Sequence, residues 1–284
     1  MNVGNRYLFL NHECGVVNEE SLVVLRWYWE KSRFASKIYE ALAPKGPWTA
    51  LYAVIVGKPG WGKTSFAYYA LKTGIIRTLC FDRGKFGLEE CVEYVEGKYG
   101  EICMNKYCGE PDPIDREYRW SFYTGINDLL KFIHDAEKIL AEDGGRRRIL
   151  FLDDLVTTSV YTMGGVWRRA YLAFREITRV ARVGASVIIM TATSPTLVPE
   201  FIKHSSEYIG VGVHHDFFVY TRFAKVAVPR EDGAYEKVLK KVYEDTVPIK
   251  AIFGLPVWLE NEINERKRQL IRDAARLVQG GGVA

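Results

Sequence analysis

Eight consecutive residues concentrate the chemistry of this chain: Gly57-Lys58-Pro59-Gly60-Trp61-Gly62-Lys63-Thr64. They match GxxxxGK[ST], the pattern of a loop that cradles phosphates. Glycines allow the backbone to curl so that successive N–H groups point at phosphate oxygens. A helix leaving such a loop directs its positive N-terminus at the same anion. Lys63 can reach the β- and γ-phosphates of a nucleotide, and the Thr64 hydroxyl can ligate magnesium. Ser65 completes the residues expected to touch the nucleotide. A glycine-rich turn with a chance lysine is the plain alternative, and the apolar run before it and the helical stretch after it count against that.

Farther along, Ile149-Leu150-Phe151-Leu152-Asp153-Asp154-Leu155 reads as an apolar strand ending in two carboxylates. Asp153 is expected to hold magnesium, directly or through a water. Asp154 is placed to orient or deprotonate an attacking water. Two aspartates starting a turn or capping a helix would look the same in isolation. A third apolar strand, Ser186–Thr191, is followed by Ala192 and Thr193. Thr191 first, and Thr193 second, is the candidate to sense a γ-phosphate or hold the lytic water. The competing reading is an ordinary strand end, since threonine favours strands anyway.

The stretch Val166–Val183 has helical spacing and carries Arg168, Arg175, Arg179 and Arg182. At ~100° per residue the four fall within roughly 60° of each other. Such a stripe can contact nucleic-acid phosphates. It can also face a neighbouring subunit, with Arg182 the first candidate for a finger on that subunit's ATP and Arg222 the second. A solvated face is the third reading.

These groups need elements to hold them. Ala50–Val56 is a continuous apolar run, as in a strand buried on both faces, and a helix is expected from Lys63 to about Lys72. Ile75–Phe81 reads as a second strand, and residues 83–118 as polar and irregular. Arg119–Tyr123 is a short strand candidate, Ile126–Ala141 a helix, and Tyr208–Val213 and Val219–Val228 further strands, one of them a possible hairpin arm. Glu19–Leu42 is helix-like, with an aromatic patch at Trp27, Tyr28 and Trp29. Pro256–Gln279 reads as a long helix stopped by Gly280–Gly282. Strands alternating with helices predict an α/β protein: a three-layer α/β/α P-loop fold with a mainly parallel sheet and added terminal helices. The expected division is an N-terminal helical extension over 1–47, an ATPase core over 48–230 and a small C-terminal helical segment over 231–284.

The 284 residues are 48% hydrophobic and 26% charged, which supports a sizeable core with a soluble surface. A net charge of +4 permits a nucleic-acid partner without demanding one. No stretch approaches the ~18–20 apolar residues that span a bilayer, and no secretory signal is visible, so no membrane and a cytoplasmic location are expected. Five cysteines, an odd count, read as reduced. Cys103 and Cys108 are too far apart for a zinc knuckle. Adjacent His214 and His215 in a strand would point to opposite faces, which argues against a metal there.

The order of phosphate loop, LeuAspAsp strand and strand ending in Thr resembles the additional-strand P-loop ATPases, and among them the AAA+ class. The flavour is that of the DnaA and DnaC/IstB replication initiators and helicase loaders. Those also carry Asp-Asp, and also place a short strand and helix, here Trp120–Ala141, just before it. The composition is similar to that of ATPases from viruses and plasmids of thermophilic archaea. The likeness covers about Trp48–Val213. It implies ATP and Mg2+ as ligands, a homo-oligomer and action on DNA in replication. A sensor-2 GxR motif and a box VII arginine are not evident. The passage Arg179–Gly184 also resembles HerA/FtsK-like DNA-pumping ATPases, so a translocation or packaging motor is the alternative. A nucleotide-dependent signalling or scaffold protein without DNA is another. The C-terminal helix, with Leu259, Ile263, Leu270, Ala274 and Leu277 on its apolar positions, is a candidate surface for a protein partner. No Asn-Lys-x-Asp guanine motif is present, which favours ATP over GTP.

Overall fold

The computed structural model describes residues 19–42, 51–81, 87–99, 120–124, 149–153, 187–198 and 207–249, with scattered positions elsewhere. Four α-helices, a single 3-10 turn (Pro195–Leu197) and seven strands lie in these segments: α1 (Glu19–Lys31), α2 (Arg33–Leu42), β1 (Leu51–Val56), α3 (Lys63–Phe81), α4 (Leu88–Tyr99), β2 (Trp120–Thr124), β3 (Ile149–Asp153), β4 (Val187–Ala192), β5 (Glu207–His214), β6 (Phe217–Pro229) and β7 (Tyr235–Pro248).

All seven strands join one sheet in the order β2-β3-β4-β1-β5-β6-β7. The first five are mutually parallel, and β6 and β7 are added antiparallel. Strands β1 and β4 are buried at every position, which is why they read as unbroken apolar runs rather than alternating ones. Parallel order brings the C-terminal ends of β1, β3 and β4 to one edge of the sheet. Each of these ends carries a residue that the sequence singles out.

Helix α3 corrects the expected strand at Ile75–Phe81. It continues for 19 residues without a break, and nearly all of it is buried. A helix enclosed on every side shows no 3.6-residue period, so its second half imitates a buried strand. Gly74 is a packing residue, not a terminator: a Cβ there would come within 2.5 Å of Ile38 on α2. Helix α4 likewise replaces irregular chain over part of 83–118. Cys80 on α3 is disulfide-bonded to Cys91 on α4, with Cα atoms 5.3 Å apart. This corrects the expectation of reduced thiols for that pair; Cys14, Cys103 and Cys108 lie outside the described residues.

The helix-like stretch Glu19–Leu42 is two helices, divided at Ser32. The Ser32 hydroxyl accepts from Ala35 N–H at 3.1 Å, an N-cap for α2. A second cap comes from far along the chain. Asp245 on β7 accepts from Ser32 Oγ at 2.7 Å and from the backbone N–H groups of Arg33 and Phe34 at 3.0 Å each. Arg77 of α3 donates to the Trp29 carbonyl and to Ser36 Oγ, and its guanidinium lies over the Trp29 ring. Around these polar staples sits an aromatic core. Phe34 stacks on Phe66, Phe66 on Tyr220, and Tyr28 on Tyr69.

A further correction concerns the C-terminal region. Tyr235–Pro248 is a strand, not part of a helical segment. It pairs with β6 along its whole length, and the hairpin turns at Gly233, whose φ of 78° suits the residue after a tight turn. Strand β5 pairs only as far as Phe223 of β6, so the rest of the β6–β7 hairpin runs on as a two-stranded arm. There Val226, Val228, Tyr235, Val238 and Leu239 are all exposed. His214 ends β5, while His215 and Asp216 form the turn to β6, so the two histidines are not successive strand residues. The expected helix Ile126–Ala141 lies outside the described residues, as does most of Val166–Val183 and Pro256–Gln279. No described helix is long and apolar enough to cross a membrane.

Candidate phosphate-binding site

The loop leaves the end of β1 between two close neighbours. Gly57 N–H donates to the carbonyl of Ala192, the last residue of β4, at 3.2 Å. On its other side a Cβ at position 57 would stand 2.8 Å from Val211 of β5, so only glycine passes here. Gly60 and Gly62 take positive φ angles of 78° and 64°, the left-handed turns that L side chains resist. Trp61 N–H bonds the Lys58 carbonyl at 3.3 Å and closes the small turn between them. The Lys58 ammonium lies over the Trp61 ring.

Helix α3 begins at Lys63, and Phe66 N–H to the Gly62 carbonyl, 2.8 Å, is its first-turn bond. The N–H groups of Thr64 and Ser65 precede the helical ladder and face the loop end, with the positive end of the helix dipole behind them. Lys63 is largely buried. Its Nζ donates to the Lys58 carbonyl at 3.0 Å, so the ammonium lies across the loop where phosphates would be gripped.

Three oxygens from three elements meet beneath this loop. Thr64 Oγ1 donates to Asp153 Oδ1 at 2.7 Å, and Thr191 Oγ1 donates to the same oxygen at 2.7 Å. Asp153 is 3% exposed and Thr191 1%, so the Thr191 bond lies in a low-dielectric setting and is correspondingly firm, while the Thr64 bond is part-buried, on the side open to the loop. Thr191 therefore reaches the site through Asp153: its hydroxyl orients the carboxylate. Thr64 spends its one proton on Asp153, which leaves its lone pairs for a cation. One carboxylate and one hydroxyl are hard oxygen donors of the kind magnesium takes alongside phosphates and waters, so the residues fit that ion. Among the described residues no group of three or more His, Cys, Asp or Glu forms a self-sufficient metal cage.

Of the residues singled out from the sequence, Gly57 through Ser65, Asp153 and Thr191 are thus brought to one edge of the sheet. Asp154 and Arg182 lie outside the described residues. Arg175 pairs with the adjacent Glu176 at 2.9 Å. Arg222 is engaged within the sheet, its Nε 3.7 Å from Glu207. Tyr220 is a neighbour of the loop that sequence reasoning missed. Its phenol approaches the Gly62 carbonyl at 3.1 Å and the Trp61 carbonyl at 3.3 Å. Nothing local marks it, because a tyrosine in a β-rich stretch is ordinary.

No family model and no curated protein matches the chain. Among solved structures it is similar to a DnaB-like replicative helicase, at 11% identity and a TM-score of 0.30 over 66% of this chain and 54% of that one. The chain thus spans about half of that helicase. It is also similar to a KaiC-like protein from the archaeon Pyrococcus horikoshii, at 14% identity and a TM-score of 0.31 over 66% of this chain and 82% of that one. A third is the flagellar accessory protein FlaH from Methanocaldococcus jannaschii, at 12% identity and a TM-score of 0.30 over 77% of this chain and 96% of that one.

Proposed function

We propose that this chain binds ATP and hydrolyses it with magnesium, as a P-loop ATPase of the additional-strand kind. The observation that carries the reading is the convergence of Thr64 and Thr191 on one oxygen of Asp153, directly under a glycine loop that opens onto a helix N-terminus. The position of β4 between β1 and β3 supports the additional-strand assignment.

In this mechanism the N–H groups of the loop and of the first turn of α3 bind the phosphates, and Lys63 swings from the Lys58 carbonyl to the β- and γ-phosphates. Thr64 and Asp153 would hold magnesium, which when bound neutralises charge developing on the phosphoryl oxygens. Thr191 keeps the Asp153 carboxylate in register. Asp154, next in the chain, orients the attacking water, and Arg182 from a neighbouring copy supplies a finger.

Within that reading, an oligomer acting on DNA is the role the sequence resemblance favours. The antiparallel β6–β7 hairpin stands after β5, where an AAA+ protein would start its helical lid. That weighs against the AAA+ assignment and leaves the HerA/FtsK-like alternative in play. Calorimetry with Mg–ATP tests the core claim: Lys63→Ala is expected to lose tight binding, and wild-type affinity in that variant overturns the reading. Turnover measured with single-stranded, double-stranded and no DNA tests the role. Stimulation by either DNA supports a DNA-acting ATPase, and an unchanged rate in all three refutes it.

A further inference from the structure

We propose that Tyr220 is a positioning residue for the phosphate loop, holding its last turn from the antiparallel hairpin. The inference rests on the nucleotide reading above and adds a second support to the loop, besides β1 and α3.

The geometry has three parts. First, the Tyr220 hydroxyl donates toward two consecutive loop carbonyls, Gly62 at 3.1 Å and Trp61 at 3.3 Å. Those carbonyls lie on the face of the peptide units opposite to the N–H groups. Anchoring them from behind therefore fixes the direction in which the N–H groups of the turn point. Gly62, with its positive φ, is one of the two loop residues, with Gly60, whose backbone uses a glycine's freedom. Second, the Tyr220 ring lies flat on Phe66, centroids 3.6 Å apart and planes 8° apart, in the first turn of α3. Phe66 in turn stacks on Phe34 of α2. Third, Tyr220 sits directly opposite Asp245 in the β6–β7 ladder, and Asp245 is the residue that caps α2. The hairpin is thus tied to the loop on one strand and to the N-terminal helices on the other.

Burial pushes the Tyr220 phenol well above its ordinary range, so the hydroxyl keeps its proton for these carbonyls at any working pH. Tyr220 itself is fully buried. A tyrosine kept only for packing would do as well as phenylalanine here, which makes the hydroxyl the discriminating atom.

The test compares Tyr220→Phe with two controls, by calorimetric Mg–ATP affinity at 25 °C and by thermal unfolding. Tyr220→Phe retains the ring stack and removes only the hydroxyl. It is expected to weaken ATP affinity roughly 3- to 10-fold, as loss of one net hydrogen bond would, with the protein still fully folded at the temperature of measurement. Thr221→Val, on the opposite face of the same strand and bonded to Glu244, is expected to bind ATP as wild type does. Lys63→Ala is expected not to bind. If Lys63→Ala fails to bind while Tyr220→Phe matches wild type, the positioning role is overturned and the phosphate-loop reading stands. If Thr221→Val loses as much affinity as Tyr220→Phe, the effect is general softening of the strand and the proposal is again overturned. If Lys63→Ala binds normally, both readings fall together.

Discussion

Removing the Asp245 carboxylate by Asp245→Ala tests how the two ends of the chain are joined. Asp245 is 2% exposed and accepts three hydrogen bonds from the start of α2. In the variant, Ser32 Oγ–H and Phe34 N–H become buried donors without their acceptor, each costing about 1–3 kcal/mol. Arg33 is exposed, so its N–H can turn to water at little cost. Relief of a desolvated carboxylate offsets part of the sum, which leaves a net loss of about 2–4 kcal/mol. In a domain of this size that lowers Tm by roughly 4–12 °C. Equilibrium unfolding in urea reads the change directly. A pH series adds a sign. Burial raises the Asp245 carboxyl above the ordinary aspartate range, against the pull of its hydrogen bonds from Ser32, Phe34 and Arg33. The folded state therefore holds that proton more tightly than the unfolded chain. This contribution to stability is full below the unfolded pKa and fades as pH rises through the folded one. The gap between wild type and variant should accordingly be widest at the acid end and narrow on the way up. A ΔΔG within about 0.5 kcal/mol of zero would show that the capping bonds contribute nothing net, and would refute the reasoning.

Three other outcomes are expected. Thr191→Val removes the hydroxyl that orients Asp153 while keeping the strand's shape, so ATP binding should persist and turnover should fall about tenfold or more; equal turnover in steady-state assays would detach Thr191 from the chemistry. Gly74→Ala should destabilise by about 1–3 kcal/mol, because the new methyl meets Ile38 and the Tyr39 backbone, outweighing the helix preference for alanine; a stabilised variant in thermal melts would contradict the packing. Reducing the Cys80–Cys91 bridge, or replacing both residues by serine, should cost about 3 kcal/mol on the loop-closure estimate for so short a loop, read as a lower urea midpoint; identical midpoints with and without reductant would show that the bridge does not stabilise the fold.

The sequence by itself determined the phosphate loop, the central strands and the parallel α/β arrangement. These features are written in neighbouring residues. Glycines at Gly60 and Gly62 are needed where φ is positive, and unbroken apolar runs at Leu51–Val56 and Val187–Ala192 follow from burial on both faces. Asp153 and Thr191 were legible as strand ends, but their shared oxygen was not, since it depends on β3 lying beside β4. Only the tertiary structure decided the rest. The helix at Ile75–Phe81 lost its period because it is enclosed on all sides, and the strand at Tyr235–Pro248 lost its alternation because much of it is exposed on both faces. Tyr220 against the Gly62 carbonyl, Asp245 against α2 and Cys80 against Cys91 are pairings made across the chain. Such contacts leave no local periodicity, because their energy is realised only once the sheet has set strand order and register and brought distant residues within bonding distance.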